Sequence, residues 1–98
     1  MSDVESTLQR ISSHKGVLGC IVVNKDGVIL KTTCEPETAE LHSHLIPQLA
    51  GLARNMVRDL DPQNDLEFLR IRSMKQEIMV APHAEFVLIV IQDLKSEA

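Results

Sequence analysis

The sequence predicts a single α/β (α+β) domain in the order α-β-β-α-β-β-β, with five strands flanked by helices. Three observations carry this. Short β-branched apolar runs alternate with turn signals, as in "VLGCIVV" followed by "NKDG". One long stretch, from about residue 36 to 60, repeats apolar residues at helical spacing. The chain has 98 residues, enough for one core and not two. The domain is expected to occupy residues 1–98, with residues 1–2 and 93–98 as flexible ends.

The first element is a short helix over roughly residues 3–14. Ser2 and Glu5 fit a capping box, Val4, Leu8 and Ile11 recur at helical spacing, and Gly16 suits the exit. Residues 17–23 then form a strand, and Gly27 supplies the positive φ of a hairpin turn into a second strand at 28–33. A four-residue loop would set Val22 opposite Ile29 and Cys20 opposite Lys31.

The long helix opens on Pro36 and Glu37 and must stop before Pro62. It carries two adjacent apolar stripes. One is Leu45, Leu49, Leu52 and Met56; the other is Ile46, Ala50, Ala53, Val57 and Leu60. Together they form an arc wider than one core contact needs. Pro47 lies inside and predicts a kink or break near residues 43–47, because it removes a helical bond and clashes with the preceding turn.

"LEFLRIRS" (66–73) and "EIMVAP" (77–82) pair around "SMKQ", and "FVLIVI" (86–91) is the last strand. This hairpin sets Leu69 opposite Val80, Arg70 opposite Met79, Ile71 opposite Ile78 and Arg72 opposite Glu77. One face is then plain core. The other mixes Phe68, Arg70, Arg72, Glu77 and Met79, a combination suited to carboxylate-bearing partners. The bland alternative is an exposed Arg72–Glu77 pair worth under about 1 kcal/mol.

Coverage of the sheet decides more. Strands one and five are apolar on both faces, so both faces need shelter. Five strands at about 4.8 Å span about 24 Å. The first helix is only about 18 Å long and about 10 Å across. It cannot cover one face alone, so something else must.

Composition excludes several classes. Ten basic against fourteen acidic residues, with two Phe and no Trp or Tyr, disfavour nucleic acid as a partner. The longest apolar run is too short for a membrane span, and the polar start carries no signal-peptide pattern. Cys20 sits in an apolar strand with no histidine beside it in sequence, and Cys34 has no base near it in sequence. His42 and His44 lie about 200° apart around a helix and cannot share a metal. His14 and His83 fall in expected loops, and the four glycines never cluster into a phosphate loop. No enzyme activity, cofactor, metal or small-molecule substrate is expected.

"HKGVLGCIVVNKDGVILKTT", "RDLDPQNDLEFLRIRSMKQEIMVAP" and "FVLIVIQD" resemble the roadblock-type light chains of dynein motors, within the roadblock/longin-like dimeric domain family. The likeness runs from about Val4 to Asp93 and is most specific over 57–82; Pro47 and Gly51 depart from the family pattern. It implies an antiparallel sheet between helices, and a homodimer with sheets joined edge to edge and long helices packed together. It also implies binding to the dynein intermediate chain, without catalysis, in the cytoplasm on microtubules or in the axoneme of a cilium or flagellum. On this basis the expected dimer interface is Leu45, Leu49, Leu52, Met56, Leu69 and Ile71. The expected partner-binding residues are Val4, Leu8, Ile11, Phe68, Arg70, Arg72 and Met79. Roadblock-like domains also regulate or scaffold small GTPases, which is the second expectation.

Overall fold

The structure, a computed structural model, describes residues 6, 9–11 and 13–94. The expected capping box at Ser2 and Glu5, and the helical positions Val4 and Leu8, lie outside the described residues. Ser6 and residues 9–11 are helical. The chain then turns through Gly16, whose φ of 91° is the left-handed conformation a glycine allows.

The strands are β1 (Val17–Asn24), β2 (Ile29–Thr32), β3 (Leu69–Arg72), β4 (Gln76–Pro82) and β5 (Phe86–Asp93). They form one antiparallel sheet in the order β2-β1-β5-β4-β3, so β2 and β3 are its edges. The long helix runs from Pro36 to Leu60 and lies on one face, chiefly over β1, β2 and β4.

The β3–β4 hairpin pairs as the sequence predicts, all four pairs included. Ser73 fixes the turn: its N–H and its hydroxyl both donate to Gln76 O, at 2.8 and 2.9 Å. β3 is shorter than expected, because Leu66 and Phe68 stand outside the ladder.

The β1–β2 hairpin differs from expectation. Val22 pairs with Lys31 and Val23 with Ile29, so Cys20 does not face Lys31. The cause is local. Asn24 Oδ1 accepts from the N–H groups of Asp26 and Val28, both at 2.9 Å, and Asn24 N donates to Val28 O at 2.9 Å. That closes the turn one residue tighter, and a bulge between Val22 and Val23 absorbs the shift.

The break expected at Pro47 does not occur; the helix is continuous across it. Ile46 and Ala50 flank the proline and are both buried against the sheet. Packing on either side holds the turn that the missing hydrogen bond weakens.

Two clusters make the core. Ile21, Val23, Val80, Ile89 and Ile91 face the helix and meet Ala39, Ile46 and Ala50. On the other face, Cys20, Val22 and Val90 are buried, with Ile11, Val17, Met79, Phe86 and Leu88 only partly covered. The alternation along β5, with Val87, Ile89 and Ile91 inward to the helix and Phe86, Leu88 and Val90 outward, is the strand period at work.

Candidate partner-binding surfaces

The first surface lies on the long helix. Leu41, Leu45, Leu49, Leu52, Met56 and Leu60 are all exposed, between 40% and 81% of their surface. Their spacings of three and four residues place them on one stripe. The other half of the apolar arc is spent on the core, where Ile46 and Ala50 are buried and Ala53 and Val57 half-buried. Leu60 belongs to the exposed stripe and not to the core-facing one, and Leu41 extends that stripe by a turn. Leu41 lies four residues before Leu45, so the same helical spacing carries it in the sequence.

The second surface is the edge at β3. Leu69 and Ile71 point under the helix and pack against its core, half-buried. Their side chains therefore serve the protomer, and what β3 offers outward is backbone.

The third surface is a groove on the opposite face, about 380 Å³ in volume. Ile11, Phe68 and Met79, expected here from sequence, line it together with Val17, Leu88 and Val90, and His14 and Lys15 stand at its wall. Arg70 and Arg72 rise beside it from β3. Glu77 is the one charged side chain buried among the described residues, 2% exposed, and neither an exposed pair nor a plain core position describes it. Its Oε2 lies 3.4 Å from Arg70 Nε and 3.7 Å from Arg72 Nε. Arg70 also reaches Met79 Sδ at 3.7 Å and stands 6.0 Å from the centre of the Phe68 ring. One buried carboxylate thus lies at ion-pair distance from two exposed guanidiniums beside an apolar floor.

Nothing comparable surrounds the cysteines. The Cys20 side chain is buried on the groove face, whereas Cys34 packs against the helix-side core with its Sγ 3.9 Å from Cys20 O. His42 Nδ1 lies 2.8 Å from Thr38 O, within its own helix. Among the described residues no cluster of His, Cys, Asp and Glu could hold a metal, and no helix is long and apolar enough to cross a membrane.

The architecture matches known proteins. A Roadblock/LC7 domain from Streptomyces avermitilis superposes with a TM-score of 0.78 at 16% identity, covering 90% of this chain and 73% of that one. The gliding protein MglB of Thermus thermophilus gives 0.79 at 11% identity, covering 97% and 74%. MglB of Myxococcus xanthus gives 0.78 at 14%, covering 98% and 80%. At these identities the likeness establishes the fold. The family model described as the Roadblock/LC7 domain matches residues 3–93, nearly the whole chain. The chain belongs to the Roadblock/LC7 domain family.

Proposed function

We propose that the protein is a non-catalytic, homodimeric assembly subunit, a dynein light chain that grips segments of the dynein intermediate chain. The observations that carry the dimer are the exposed leucine stripe and the open sheet edge at β3. Stranded apolar surface of this extent marks an interface. A twin helix and a twin β3 would cover both at once. The groove on the far face, with Arg70 and Arg72 over an apolar floor, is left for an acidic segment of the intermediate chain. Two grooves on one dimer raise the effective concentration of the second contact, so modest individual contacts suffice. The protein would then reside in the cytoplasm on microtubule motors, or in an axoneme.

The choice of dynein is supported by the sequence resemblance, greatest over residues 57–82. A second reading, a regulator or scaffold of a small GTPase, fits family membership at least as well, and the similar solved structures include three MglB chains. Calorimetric titration with the amino-terminal region of an intermediate chain separates them. Binding that weakens at least tenfold in Arg70→Glu/Arg72→Glu, with the dimer intact, supports the first reading. No binding, together with a changed rate of GTP hydrolysis or nucleotide exchange by a small GTPase, supports the second.

A further inference from the structure

The run from the long helix into β3 is tied down by one carboxylate. The bonds within residues 61–68 are all local: Asn64 N donates to Asp61 O at 2.9 Å, Gln63 N to Asp61 Oδ1 at 3.1 Å, Asp65 N to Asn64 Oδ1 at 2.8 Å and Leu66 N to Asp65 Oδ1 at 2.8 Å. β3 itself is bonded along one side only, by β4, and the helix packs chiefly on other strands. Asp65 bridges the gap. Its Oδ1 accepts from Arg54 Nε at 2.8 Å, while its Oδ2 accepts from Arg54 Nη2 at 3.2 Å and from Arg58 Nη2 at 3.3 Å. The same Oδ1 accepts from Leu66 N at 2.8 Å, which fixes the carboxylate relative to the chain leading into β3.

A single exposed ion pair matters little, and these side chains are about half exposed. The geometry here is stronger than a single pair. Arg54 forks onto both oxygens, Arg58 adds a second guanidinium one helical turn on, and the planar donors lose less freedom per bond than a lysine would. Asp65 also stands only four residues before Leu69, where the edge strand begins.

We infer that Asp65 is a positioning residue for self-association: clamped by Arg54 and Arg58, it holds the β3 edge in fixed relation to the leucine stripe. This rests on the dimer reading above. An interface built from two elements binds more weakly when the elements move independently, because association must then order them. The clamp does that ordering beforehand.

The test compares the full chain with Asp65→Asn and with the charge-swapped Arg54→Asp/Asp65→Arg. Dimer affinity by sedimentation and amide exchange of β3 are read from about 50 mM to about 500 mM salt, a range over which screening of exposed charges changes strongly. Asp65→Asn should weaken the dimer about three- to tenfold at low salt, the scale of a small exposed ionic network. It should also speed exchange in β3. Rising salt should bring the wild-type affinity down toward that of the variant, whose own affinity changes little, and the swap should recover part of the loss. Asp65→Asn with wild-type affinity and wild-type salt response would overturn the inference while leaving the dimer standing. A wild-type chain that never dimerises would instead overturn the reading beneath it.

Discussion

Leu52 offers the sharpest perturbation of the proposed interface. In the protomer 67% of its surface is exposed, so replacing it should leave the isolated fold intact. Covering a whole leucine side chain is worth about 1.5–3 kcal/mol, so covering two thirds of one is worth about 1–2 kcal/mol. A twofold interface carries the change twice, about 2–4 kcal/mol, which corresponds to a roughly 30- to 700-fold weaker dimer. Leu52→Glu adds the cost of a carboxylate facing an apolar helix and belongs at the upper end of that range. Dilution calorimetry reads the dissociation constant directly, and circular dichroism confirms that the helix and sheet persist. Leu30→Glu is the control. Leu30 is 43% exposed but sits on β2, at the far edge of the sheet from β3, so its dimer should match the wild type. Equal affinities for Leu52→Glu and Leu30→Glu would refute the assignment of the stripe to the interface.

Two further predictions concern the protomer. A β-carbon on Gly19 would collide with Cys34 Sγ, so Gly19→Ala should destabilise by about 1–3 kcal/mol in denaturant titration, the scale of overpacking. Adding Cys34→Ala removes the obstacle and should return most of that loss, a coupling that a double-mutant cycle measures. Asp65 should titrate below its ordinary value of 3.8, because the hydrogen bond from Arg54 favours its charged form, with help from Leu66 N–H and from the charges of both arginines. A depressed carboxylate contributes stability above its unfolded pKa and loses it as pH falls through the folded pKa. The clamp should therefore persist at neutral pH and open only in acid below about pH 4, seen as a carboxyl carbon shift in NMR that Asp65→Asn abolishes.

Sequence periodicity revealed most of the sheet because its strands are short, β-branched and separated by turn residues with few options. The β3–β4 pairing was legible to the residue, since "SMKQ" permits one tight turn and the inward set of Leu69, Ile71, Ile78 and Val80 allows no slip. The β1–β2 register was not legible. There a side chain, Asn24, takes over backbone bonding, and the resulting bulge leaves no trace in hydrophobic pattern. Pro47 misled in the same way: a local cost was visible, whereas the burial of Ile46 and Ala50 that offsets it is tertiary.

The candidate surfaces divide along similar lines. The doubled apolar arc of the long helix announced an unmet need for cover, and the exposed stripe is that need in three dimensions. Arg70 and Arg72 stood out by their company with Phe68. The burial of Glu77 between them did not, because its depth depends on neighbours in β5 as well as β3. The Arg54–Asp65 clamp joins residues eleven apart across a helix end, where no periodic rule connects side chains.

Among the described residues the long helix leaves its leucine stripe uncovered, and the proposed cover is a second copy of the chain. Sedimentation equilibrium of the unaltered chain at micromolar concentration tests it most directly. A dimer gives twice the chain mass of 10.9 kDa, falling toward one chain mass on dilution. A single chain mass held at every concentration up to the solubility limit would contradict it.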